Sequence, residues 1–370
     1  MVRTVSSMNS LLKVTLSACL AAISATSLRC ELGTWEWDSD IHDLFAKSDL
    51  VVLGSSEKPQ VLREWEEPEH GPSSQRSVAM ESLSSSVHVE KVYKGKSASS
   101  IEIQFDIGVL PSTPNPGPAL FRGERALLFL QRGEEGAYRF VQSPGGRLNA
   151  QGLSFAGSSI GQDGLEQDLN RSLSGGKVGR ESALDILLEY RGLSNNTELT
   201  LRRLGTDSDS NTAAKALSIL MTTGRPEYFE TLSHFLSANG GNVAGREQLM
   251  LSGRLREFGN HANPLTISAI SGLPLTAIQS AALDVLSEMR SPATVEAVVR
   301  LLDDPNPEVQ YQSLYVLMKI LDEPGKKRGP EYSPTPAEFA GNRAYYTGLW
   351  KQWWVADGKA RFSRSDGESR

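Results

Sequence analysis

Cysteine is nearly absent from this sequence. Its 370 residues hold two, Cys19 and Cys30, so no multi-disulfide framework holds the fold and the core must come from apolar packing. Histidine is scarce as well: His42, His70, His88, His234 and His261 are scattered, with no His-x-x-x-His and no Cys-x-x-Cys spacing. No zinc site and no other cofactor is therefore expected. A basic excess is also missing, the formal net charge being −6. A nucleic-acid partner would lack the phosphate-backbone attraction that supplies most non-specific affinity, so none is expected. No apolar run approaches the roughly 18 residues of a bilayer-spanning helix, which argues against an integral membrane span.

What is present begins with a leader. Arg3 and Lys13 give a positive start, and Val14 to Ala25 is an apolar run too short to span a bilayer. Residues 1–27 read as a signal peptide cleaved near Ala25-Thr26-Ser27, which predicts an exported protein, periplasmic or secreted, with Cys30 as its single cysteine. Leu16-Ser17-Ala18-Cys19 also resembles a bacterial lipobox, which would make Cys19 a lipid anchor at the cell envelope. Lys13, inside the stretch that should be apolar, weighs against that alternative.

With 39% hydrophobic and 22% charged residues the chain has material for two folded domains. The first, over 28–160, is strand-rich. After a short helix around Asp40 to Lys47, Leu50-Val51-Val52-Leu53-Gly54 is an apolar run ending at a breaker. Val87, Val89 and Val92-Tyr93 lead into Lys94-Gly95, Ile101, Ile103, Phe105 and Ile107 alternate, Ala126 to Leu130 is apolar, and Tyr138 to Val141 precedes Pro144-Gly145-Gly146. An antiparallel β-barrel or sandwich follows. Arg63 to Ser74, charged and holding Pro68 and Pro72, reads as a surface loop on which Glu64, Glu66, Glu67 and Glu69 are solvated, and Pro111 to Pro118 as another.

The motifs Lys47-Ser48-Asp49-Leu50-Val51-Val52-Leu53-Gly54, Val89 to Gly95 and Gly123-Glu124-Arg125-Ala126-Leu127-Leu128-Phe129-Leu130 resemble, in their order, the netrin-like fold, an OB-type barrel shared with tissue inhibitors of metalloproteinases. The resemblance implies a barrel over about the first third of the chain. In that inhibitor family a disulfide-bonded N-terminal cysteine presents its amine to a protease zinc. Cys30 lacks a partner, so the barrel is carried over and the inhibition stands only as an alternative function.

The second half repeats. Ile278, Ala282, Leu283, Val285, Leu286 and Met289 return as Val309, Ser313, Leu314, Val316, Leu317 and Ile320, 31 positions later, and an earlier copy around Leu217, Ile219, Leu220 and Pro226 lies 66 positions upstream of its match. Arg246 to Phe258 and Asn263 to Ile270 supply a degenerate pair between them. Roughly four units of paired helices are predicted over 181–325, which must stack because no single pair can bury its own stripe. Asp303-Asp304-Pro305-Asn306-Pro307-Glu308-Val309 resembles the turn between HEAT-like repeats, which implies an α-solenoid that holds a partner. Residues 161–180, rich in glycine and serine, read as a linker between the domains.

A closing segment over 326–362 contains Thr335-Pro336-Ala337-Glu338, a capping box opening a helix that runs to Asp357-Gly358. Phe339, Tyr346, Trp350 and Trp353 share one face of it, as a cap over the open end of the solenoid core. Trp354 on the flank is expected to be the exposed ring, and Trp350 and Trp354 are the candidate partner-binding residues.

Catalytic signatures are weak. Gly157-Ser158-Ser159-Ile160-Gly161 satisfies G-x-S-x-G, but lies between a β-domain and helices, without the parallel sheet of a nucleophile elbow. Asp207-Ser208-Asp209-Ser210-Asn211 imitates a calcium loop, yet Thr212 and Ser218 stand where glycine and a bidentate glutamate belong. Those residues suit the cap of a helix beginning near Ala213. The sequence thus predicts a non-enzymatic exported protein that binds another protein through its solenoid, its barrel or both. A protease inhibitor acting through the netrin-like domain is the alternative.

Overall fold

Leu50-Val51-Val52-Leu53 and Ala126-Leu127-Leu128-Phe129-Leu130 are apolar without alternation, the pattern of strands covered on both faces. The computed structural model, which describes residues 40–68, 77–108, 120–133, 136–141, 146–155, 159–323, 326–327, 330 and 334–360, supplies both covers. The expected leader over 1–27, Cys19, Cys30, His70, Glu69 and the proline-rich 111–118 lie outside the described residues.

Helix α1 (Ile41–Lys47) leads into strands β1 (Leu50–Ser56), β2 (Gln60–Pro68), β3 (Ser77–Lys94), β4 (Ser100–Gly108), β5 (Arg125–Arg132), β6 (Tyr138–Phe140) and β7 (Arg147–Asn149). The strand order β1-β3-β4-β6-β5 closes on itself through β1 and β5, giving a five-stranded barrel. All its pairs are antiparallel except β4 with β6, which run parallel through Ile103 and Tyr138. That is the strand order of an OB-type barrel. Leu50, Val52, Leu83, Val87, Ile103, Phe105, Leu128 and Leu130 fill its interior.

In β1 and β5 the intervening residues, Val51, Leu53, Leu127 and Phe129, point the other way and join a second core made mostly of helices. Sheet pairing enforces the division: Val52 lies opposite Leu128 on the inner face and Val51 opposite Phe129 on the outer. In β4, Ile101, Ile103 and Phe105 are buried and alternate with the polar Glu102, Gln104 and Asp106.

The second core belongs to helices α2 (Gly161–Leu173), α3 (Lys177–Leu187), α4 (Asn195–Leu204), α5 (Ser210–Met221), α6 (Pro226–Asn239), α7 (Gly245–Phe258), α8 (Pro264–Ser271), α9 (Thr276–Glu288), α10 (Pro292–Leu301) and α11 (Pro307–Leu321). They stack in two layers: α3, α5, α7, α9 and α11 are successive neighbours in one, and the even-numbered helices form the other. The architecture is therefore a β-barrel followed by an all-α solenoid, as the sequence predicts.

Two expectations are corrected. The segment read as a linker, 161–180, holds all of α2 and the start of α3. Leu165, Leu169 and Leu173 recur every fourth residue and are buried, while Gly161, Gly164, Gly175 and Gly176 gave the stretch a linker's composition. Those helices dock the barrel, α2 against β3 and α3 against β7. Gly152 and Gly179 allow the approach, since a Cβ on Gly179 would stand 2.3 Å from the Gly152 carbonyl oxygen. The second correction concerns the charged stretch from Arg63, read as a loop. Its first part is β2, paired with β3 from Gln60–Ser84 to Pro68–Ser77. An edge strand wet on both faces carries charge without penalty, so the hydrophobic alternation that announces a half-buried strand is missing.

Candidate functional site

The C-terminal aromatics were the first candidates. Thr335 caps α12 (Pro336–Gly341) through the predicted capping box, but Asn342 leaves helical geometry and splits the expected single helix, which resumes as α13 (Arg343–Trp353). A π-turn over Trp354–Gly358 follows it. The backbone is α-helical through Trp353 and Trp354, so Trp354, four residues after Trp350, falls on the same face as Trp350. Trp350 is 1% exposed and Trp354 5%, so the expected exposure of Trp354 is not found. Gly358 packs onto the Trp353 and Trp354 rings, where a Cβ would stand 2.8 Å from Trp353. The arrangement closes the solenoid core against α11, through Phe339 stacked between Tyr311 and Tyr346.

The solenoid face is partly closed as well. α5 is buried from Thr212 to Met221 because α7 reaches past it to the end of α3. There Arg254 donates to the Leu188 carbonyl at 2.5 Å and to Glu257 at 2.9 Å, and Glu257 also pairs with Arg191 at 2.9 Å. The same short segment holds α1: the Ile41 amide donates to the Glu189 carbonyl, and the His42 ring bridges Gln162 and the Arg191 carbonyl. Burial pushes the Glu189 carboxyl up to about 7, against the opposing pull of Arg254.

At the junction of barrel and helices, Asp168 of α2 is 2% exposed and accepts from Lys91 at 2.5 Å and Tyr93 at 2.9 Å, both on β3. Burial first, and the facing Asp168 carboxylate second, hold the Tyr93 hydroxyl far above its ordinary range. In the helical array, Glu198 is buried and accepts from Arg202, Arg225 and Tyr228, tying α4 to α6. These buried charges are satisfied by their own neighbours and act as fasteners.

The would-be chemistry sites resolve in structural terms. Ser159 donates to Gln167 at 3.2 Å, and none of its hydrogen bonds among the described residues reaches a histidine. Asp209 caps α5 by accepting from the Asn211 and Thr212 amides, as the capping reading of that segment predicts, and the Thr212 bond above all lowers its pKa. Among the described residues no group of three His, Cys, Asp or Glu side chains is arranged to hold a metal ion. No described helix is long and apolar enough to cross a membrane.

Among the described residues, the arm made by β2 and the first half of β3 is an open surface. After β1 ends, β2 continues along the same edge of β3, so β3 carries β1 on its second half and β2 on its first. Gln60, Val61, Leu62, Arg63, Glu64 and Glu66 are all exposed, Val61 at 50% and Leu62 at 53%, and Arg63 stacks over the Trp65 ring at 5.5 Å. β2 has β3 as its single neighbour among the described residues. Sequence reasoning missed this arm. The available signal was Val61, Leu62 and Trp65 ahead of Pro68, with the strand-forming Val78, Met80 and Leu83 beyond. No protein-family model matches the chain, and no curated protein matches it.

Proposed function

We propose that this chain is a non-catalytic binding protein that engages another protein, with the β2–β3 arm as its contact surface and the solenoid as the rigid support. The observation that carries the reading is the arm itself. It exposes Val61 and Leu62, and β2 has a single strand neighbour among the described residues, whereas the buried carboxylates Asp168 and Glu198 are consumed by internal fastening. An unpaired edge is a liability that proteins usually cover, so one left open beside apolar side chains suits a surface that is covered by a partner.

The motifs that resemble the netrin-like fold lie on β1, β3 and β5, and β1 pairs with both of the others. This adjacency supports the resemblance of the barrel, and the stacked pairs support the HEAT-like reading of the helices. Export is part of the proposal and rests on Arg3, Lys13 and Val14 to Ala25. Intact mass and N-terminal sequencing of the native protein test it: a start near Leu28 supports a soluble exported form, and an acylated Cys19 an envelope-anchored one.

The binding reading is tested by affinity capture on the immobilised protein from its host's exported fraction at several salt concentrations. Saturable retention of a protein that free chain displaces supports it. Recovery of nothing above background overturns it.

A further inference from the structure

The arm has a charge pattern that its own fold does not explain. Glu64 of β2 lies directly opposite Glu81 of β3, which in turn faces Ile107 of β4. Both carboxylates are therefore on the face that continues the barrel interior, the face of Leu83 and Val87. Strand alternation places Glu66 on it too, opposite Ala79. Like charges directly across a sheet are destabilising, and among the described residues neither Glu64 nor Glu81 makes a hydrogen bond or ion pair. The bulge between Val61 and Arg63 shifts the alternation, leaving Val61, opposite Leu83, on this same face.

A strand added to the free edge of β2 would set its own alternate side chains against Val61, Glu64 and Glu66. A second copy of β2 would bring glutamates to glutamates, so the carboxylates that discourage self-pairing are the ones that select a basic partner. We propose that the free edge of β2 is a β-augmentation site for an extended segment with lysine or arginine at alternate positions and an apolar residue toward Val61. This rests on the reading of the chain as a binding protein and names the chemistry of what it binds. Backbone hydrogen bonds to β2 would supply affinity common to any strand. The cations against Glu64 and Glu81 would supply the choice.

The test uses the full chain and two acetylated, amidated eight-residue peptides, one alternating lysine with valine and the other glutamate with valine. Amide hydrogen exchange over residues 60–68 reads strand addition directly, and fluorescence titration at low salt gives affinity. Protection of 60–68 by the lysine peptide, with binding at least tenfold weaker for the glutamate peptide, is the expected result. The Glu64→Gln/Glu81→Gln double variant, which keeps side-chain size, should narrow that gap, and Glu64→Lys/Glu81→Lys should reverse it.

Equal protection by both peptides overturns the proposal, as does protection that avoids 60–68. Protection that rises with protein concentration and no peptide overturns it in favour of a second copy. If affinity capture retains a partner equally well on the Glu64→Lys/Glu81→Lys variant, the binding reading stands and this assignment fails.

Discussion

Asp168 has the most to lose from substitution. A buried carboxylate with two donors from another element is satisfied only while both are present, and removing one partner strands the other in a medium that solvates charge poorly. Asp168→Ala is expected to destabilise the chain by about 3–5 kcal/mol in urea unfolding, and Lys91→Met by a similar amount. Lys91→Met/Asp168→Leu should cost clearly less than their sum, and strict additivity would show that the pair is not coupled. Glu189 behaves in the opposite sense. Its carboxyl is raised from 4.5 to about 7 on folding, so its contribution is fully present below 4.5 and is lost as pH rises through 7. Glu189→Gln should therefore gain stability relative to the parent between pH 5 and pH 8, on the order of 1 kcal/mol. Parallel melting curves for the two proteins across that range would refute it. Neither role was legible in the sequence, because both depend on which elements meet around a charge.

Among the elements, α2 turns a compositional linker into a structural part. Its Leu165 and Leu169 are buried against the same core as Val51 and Phe129. Leu169→Ala should cost about 2–5 kcal/mol, with loss of amide protection in β1 and β5 as well as in α2. Unchanged stability would return the segment to linker status. At the other end, Thr335→Ala removes a capping box and should cost about 1 kcal/mol, read as faster exchange of the α12 amides alone. Helices were the more legible elements because a buried stripe repeats every three or four residues whatever lies around it. Strand β4 was legible by its alternation, and β1 and β5 as unbroken apolar runs. β2 was not, because an exposed edge strand lacks an apolar face to announce it.

At the scale of the whole molecule, the barrel's outer face and the helices share one core, and barrel and solenoid fall within one compact unit from Ile41 onward. Thermal unfolding is expected as a single cooperative transition seen alike by far-UV circular dichroism and by exchange of barrel amides, and two separated transitions would contradict the shared core. The sequence by itself determined a strand-rich first half, the repeat array and the capping box before the C-terminal aromatics, since each follows from local periodicity and turn chemistry. Only the tertiary structure decided that α2 and α3 dock the barrel, that Trp354 is buried and that β2 has β3 as its single neighbour among the described residues. Those depend on which surfaces meet across long separations in the chain, and periodicity records that a face is buried without recording what buries it.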